Sequence, residues 1–272
     1  MEQVRQVILK RPLPLRWTLM VVVFLLVIGW LLNTPEGILG KADAVGYAVC
    51  HRIDLRSFHL GDRPLPLCAR CTGMYLGAVV GLVYQAVTAR RRAGTPPWPV
   101  LAGLVLFTGA FALDGGNSFL ALLFGRGLLY SPNNMLRLFT GSGMGLVISA
   151  ALFPAFNQTI WKDWQEAPAL PGLKSFLGLA GFTILVDVLV LTEHPVVLYP
   201  FALVSAAGVL VLLTLLYTMV FVMMVRKENM FGRLSELGMA LVAGFGVGLL
   251  QIVAIDMLRF LVTGTWEGFH FG

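Results

Sequence analysis

Charge is scarce in this sequence. Only 12% of its 272 residues are Asp, Glu, Lys or Arg, against about 25% in a soluble globular domain. So few ionic groups cannot cover a water-facing surface of this size, so lipid must serve as the outer solvent. Several signatures of known chemistry are missing too. There is no phosphate-cradling glycine loop and no H-E-x-x-H pair. Thr72 rather than His follows Cys71, which excludes c-type haem attachment. No serine has an evident His/Asp partner arrangement, and no inverted repeat of the transporter kind is visible. The net charge is +6, yet the basic residues sit between apolar runs rather than along one face. With no recognisable nucleic-acid module, this excludes nucleic acid as a partner.

Apolar residues are plentiful: 57% of the chain, with a mean hydropathy of +0.81. A membrane helix needs about 20 mostly apolar residues to cross about 30 Å of hydrocarbon. Segments near 17–33, 72–89, 98–114, 134–155, 173–192, 198–225 and 235–262 meet that need. They predict an all-α fold, a single polytopic membrane domain over residues 1–272 with about seven transmembrane helices. Residues 34–71 form an extramembrane Cys/His loop within it. The first segment has the basic flank of a signal peptide (Arg5, Lys10, Arg11, Arg16). Its length favours an uncleaved helix.

Lys and Arg in short loops orient a membrane chain. The N-terminus, Arg90-Arg91-Arg92, Lys162 with Lys174, and Arg226, Lys227 and Arg233 fall in alternate connections. They therefore share one side, read as cytoplasmic. The C-terminal Phe269-His270-Phe271-Gly272 and the 34–71 loop then lie outside, although that loop carries Lys41, Arg52, Arg56, Arg63 and Arg70. Gly73, Gly77 and Gly81, and again Gly141 and Gly145, recur every four residues. That stripe lets helix backbones approach closely. Asn157-Gln158-Thr159 fits the glycosylation pattern but falls on the inner side.

All three cysteines, Cys50, Cys68 and Cys71, fall in the 34–71 loop, with His51 and His59 beside them. Cys68-Ala69-Arg70-Cys71 brings two sulfurs close enough for one metal ion or one disulfide. A tetrahedral zinc site needs four ligands, which Cys50, Cys68, Cys71 and His51 supply, with His59 the alternative fourth. A thiol–disulfide pair and a set of unlinked thiols are the competing readings. Arg56, Arg70, Asn134 and Arg137 are candidate substrate-binding residues, since arginine forks match carboxylate or phosphate oxygens. An anionic lipid or a small anionic ligand would suit them.

The remaining polar residues fall at similar depth. Asp114 is read as ending the third span, Asn134 and Arg137 open the fourth, and Asp187 lies late in the fifth. Gln251, Asp256 and Arg259 come near the end of the seventh. Charged groups in spans are costly and tend to face a bundle interior. The expectation is one polar pocket beneath the loop, with Asp114, Asp187 and Arg137 as candidate catalytic residues. The bland counterpart is simple pairing, as between Asp256 and Arg259, three apart on a helix.

These residues resemble a known family. Cys50-His51, Arg56-Ser57-Phe58 and the run Cys68-Ala69-Arg70-Cys71-Thr72-Gly73-Met74-Tyr75-Leu76-Gly77 look like the signature of the prokaryotic membrane family DUF2085. Asp114-Gly115, Asn134-Met135-Leu136-Arg137 and Thr140-Gly141 resemble its second block. The likeness spans about residues 45–145, and Arg52 stands where members commonly carry Gln. It implies a bacterial or archaeal cell membrane and no particular activity. The leading expectation is therefore a membrane protein with a zinc site at one membrane face, above a polar pocket. A thiol–disulfide oxidoreductase linked to a quinone is the first alternative. A small-solute transporter, or a subunit of a membrane complex, is the second.

Overall fold

The computed structural model describes residues 13–268. Arg5, Lys10, Arg11 and the Phe269–Gly272 tail lie outside the described residues. Eight α-helices carry the fold: α1 Leu13–Asn33, α2 Gly37–Val49, α3 Ala69–Thr88, α4 Trp98–Phe124, α5 Asn134–Ile160, α6 Leu173–Leu191, α7 Pro195–Met224 and α8 Gly238–Thr263. A hairpin, β1 His59–Leu60 with β2 Arg63–Pro64, precedes α3. Farther along, β3 Arg92–Gly94 pairs in parallel with β4 Gln165–Pro168. Among the described residues seven helices, all but α2, are long and apolar enough to cross a membrane. The chain is an all-α, multi-pass membrane protein.

Two elements differ from the sequence expectation. The third span does not stop at Asp114; α4 continues through Gly115 and Gly116 to Phe124. Its carboxylate is met by Arg70 from α3, so the helix need not end to leave the charge in water. Residues 34–71 are not all loop either, because α2 occupies 13 of them. At about 20 Å, 13 residues fall well short of the hydrocarbon thickness, so α2 gives no span signal.

The centre of the bundle is the pair α3 and α5. A Cβ on Gly73 or Gly77 would strike Ser142, and one on Gly141 or Gly145 would strike the α3 backbone at Arg70 or Met74. The two glycine stripes therefore face each other, the close backbone approach that small residues permit. At the rim, α4 buries mainly polar residues (Asp114, Asn117, Ser118) and exposes Val105, Leu106 and Phe119. Such a polar-in, apolar-out helix suits hydrocarbon and not water.

The basic connections meet at one end. Arg91 pairs with Asp163 and donates to the Gly232 carbonyl at 2.5 Å. The Lys162 N–H bonds the Phe231 carbonyl at 3.1 Å, and Arg16 lies close enough to repel Lys227. The glycosylation-like Asn157 is buried here, donating to the Arg92 carbonyl at 2.9 Å. At the other end, α2 and the hairpin meet the end of α8. Tyr47 Oη donates to the Thr265 carbonyl at 2.8 Å, and Arg52 to the Trp266 carbonyl at 2.9 Å.

Candidate functional site

Two helix ends build the cysteine site. Cys50 closes the C-terminus of α2, its N–H bonded to the Gly46 carbonyl, and Cys68 is the N-cap of α3. A Cβ on Gly46 would meet the Pro66 carbonyl. Glycine there lets α2 lie against the chain that leads into Cys68. Cys71 follows in the first turn of α3, so all three sulfurs gather at the positive end of that helix, where thiolate is favoured.

The three Sγ atoms lie within 4.8 Å of one another and are free of disulfides. Cys50 and Cys68 are buried among Val45, Leu67, Val209 and Ile252. Hydrogen bonds from the Cys68 and Cys71 thiols hold Cys50 well below the usual thiol range. Backbone N–H groups of Cys68 and Arg52 also reach its sulfur, at 3.3 and 3.4 Å. Cys68, which donates to Cys50, is pushed up to about 12. Cys50 is thus the acceptor of the set.

Neither histidine belongs to this close group of ligand atoms among the described residues. His51 Nδ1 accepts from the Ile53 N–H at 3.2 Å, and His59 Nε2 lies 3.1 Å from Asp54 Oδ1. Burial pushes the His51 ring below its ordinary value, and Arg56, Arg70 and Arg137 push the same way against the opposing pull of Cys50. The ring is therefore neutral.

Beside the sulfurs lies a cationic cluster. Arg70 grips Asp114, with Nε 3.1 Å from Oδ2, and its Nη2 donates to Ser118 Oγ at 2.9 Å. Tyr130 Oη donates to the other Asp114 oxygen at 2.7 Å and Thr140 Oγ1 to Oδ2 at 3.2 Å. Burial, then the bond to Asp114, pushes the Tyr130 phenol up to about 12, so it stays a donor at ordinary pH. Arg56 donates to the Ser118 carbonyl at 3.2 Å. Arg137 donates to Asn134 Oδ1 at 2.8 Å, and Asn134 in turn to the Ser57 carbonyl at 3.2 Å. The buried Arg137 Nε has no partner among the described residues.

The other polar groups fall into separate clusters. Ser142 Oγ donates to the buried Asp187 at 2.6 Å. Tyr217 bonds Gln251. Arg259 donates to the carbonyls of Tyr47 and Cys50 at 2.6 and 2.7 Å, its guanidinium 4.0 Å from the centre of the Tyr47 ring. Asp256 lines a cavity between α1 and α8. Sequence reasoning missed Tyr130, Ser118 and Asp43. Asp43 pairs with both Arg52 and Arg63. Arg52, in the left-handed region at φ 50°, thus spans Asp43 and the Trp266 carbonyl. None of the three carries a periodic signal; only their contacts with Asp114, Arg70, Arg52 and Arg63 in space single them out.

Comparison with known proteins agrees with this grouping. The family described as "Predicted membrane protein (DUF2085)" matches residues 50–151, from Cys50 into α5. An uncharacterized protein of Methanothermobacter thermautotrophicus is 36% identical over 103 residues, covering 37% of this chain and 82% of the relative. An uncharacterized protein of Methanocaldococcus jannaschii is 27% identical over 124 residues, 45% of this chain and 72% of that one. No solved structure matches. The matched stretch holds all three cysteines, Arg70, Asp114 and Arg137, and the chain belongs to the DUF2085 family of membrane proteins.

Proposed function

We propose that the chain holds a transition-metal ion, zinc by ligand chemistry, on Cys50, Cys68 and Cys71, beside an arginine cluster that receives an anion. The observation that carries this is the approach of three sulfurs to within 4.8 Å. Zinc with bonds of about 2.3 Å sets tetrahedral thiolates about 3.8 Å apart, which small side-chain rotations reach. Thiolate sulfur selects zinc over the harder cations that prefer oxygen. His51 would supply the fourth ligand through Nε2, because Nδ1 already accepts from Ile53; His59 is the substitute.

The charge balance supports an anion. Arg56, Arg70 and Arg137 face one carboxylate, Asp114, and the buried Arg137 Nε awaits an acceptor. A small oxyanion or an anionic lipid headgroup meets that requirement. When bound, the metal supplies a Lewis acid or a structural clamp. Asn134 fixes Arg137, and Asp114 with Tyr130 fixes Arg70, so the anion meets a preset fork. Asp187, bonded to Ser142, is the candidate for handling a proton.

The test is elemental analysis of protein purified without chelator, wild type beside Cys68→Ser. About one zinc per chain, lost in the variant, is expected. Metal-free protein with Cys68 and Cys71 disulfide-linked would sink the proposal. It would favour the second reading, thiol oxidation coupled to a quinone, for which the low thiol range of Cys50 speaks. There, two thiols form a disulfide and release two protons and two electrons, which the quinone takes up as quinol.

A further inference from the structure

Away from the cysteine site, between α1 and α8, lies a cavity of about 240 Å³. Trp30, Phe260 and Trp266 form aromatic walls, and Asp256 stands among them with Asn33 and Thr34. Asp256 is only 3% exposed. Neither of its carboxylate oxygens makes a well-formed hydrogen bond among the described residues; the Trp30 indole N–H beside it is its nearest donor. A buried carboxylate without a cation in contact is costly, and a cation seated against it removes that cost.

Lys41 is engaged elsewhere, and Arg259 attracts the carboxylate without a hydrogen bond to it. Lys41 is held by the carbonyls of Leu31 and Thr34 and by the Thr34 hydroxyl. Arg259 directs two hydrogen bonds to carbonyls on the α2 side. A hard metal ion is a poor occupant, since it asks for about six oxygens and the lining offers few. Aromatic faces beside a single carboxylate are instead the surroundings an organic ammonium group selects. The volume suits a methylated ammonium or an amine headgroup.

We propose that this cavity binds an organic ammonium group, with Asp256 as counter-ion and Trp30, Phe260 and Trp266 as its cage. The proposal does not depend on the metal reading. Both a soluble amine and an aminolipid headgroup carry this chemistry.

The full chain in nanodiscs of phosphatidylglycerol is titrated with tetramethylammonium and followed by saturation-transfer NMR of the methyl resonance. Saturable binding is expected, weakened at least about tenfold in Asp256→Asn and about threefold in Trp266→Leu, and not displaced by equal sodium. The Trp266→Leu arm keeps the test decisive if Asp256→Asn does not fold. In nanodiscs of phosphatidylethanolamine, suppressed binding identifies the lipid headgroup as occupant and undiminished binding identifies a soluble cation; both uphold the site. Absence of saturable binding, or binding of wild-type strength in both variants, overturns it.

Discussion

Asp114 shows what single residues do in this bundle. Its two oxygens accept from Arg70, Tyr130 and Thr140, and it is 1% exposed. Removing one member of such a buried pair strands the other charge. Asp114→Asn is therefore expected to lower stability by about 3 kcal/mol, read as a drop in the unfolding midpoint in detergent. Arg70→Met combined with Asp114→Leu removes both members of the pair, and its midpoint should lie above that of Asp114→Asn. If the double change is the worse, the pair does more than neutralise charge. The sequence marks Arg70 and Asp114 separately as polar residues of interest. It places them at similar depth but does not pair them, because 44 residues separate them. Tyr130 is less legible still: an aromatic in a short linker has neither helical period nor charge to mark it.

Among elements, the α3–α5 contact was the most legible and α2 the least. Glycines four apart write a packing face into the sequence directly, and the structure matches stripe to stripe. Gly77 and Gly145 have backbone where a Cβ would go, whereas Gly109 and Gly181 have open space. Gly77→Leu and Gly145→Leu are each expected to cost about 3 kcal/mol or to abolish monodisperse protein. Gly109→Leu and Gly181→Leu should behave as wild type in the same size-exclusion and melting assays. Equal damage at all four positions would mean that the stripe has no special role. The extent of α4 was misread because Asp114-Gly115-Gly116 looks like a helix end. What carries the helix onward is an arginine on another helix, and periodicity along one segment contains no such information. The cysteine triad was legible as composition, three cysteines in one stretch. Whether a histidine can join it depends on side-chain direction, which spacing does not encode.

For the whole molecule, seven crossings put the 34–71 segment and the connection at 225–237 on opposite sides. Asp62 and Glu228 are exposed, one in each. In intact cells an impermeant maleimide is expected to label Asp62→Cys and spare Glu228→Cys, above the background of the native cysteines, by the positive-inside rule. Labelling of Glu228→Cys alone would reverse the orientation, and labelling of both would contradict seven crossings. The Arg70–Asp114 pair has a further consequence for biogenesis. A ribosome adding about 5–20 residues per second synthesises Asp114 some seconds after Arg70. Over that interval the guanidinium lacks the carboxylate that it pairs with in the folded chain. The second and third crossings are therefore expected to settle together, as one hairpin, only once α4 has emerged.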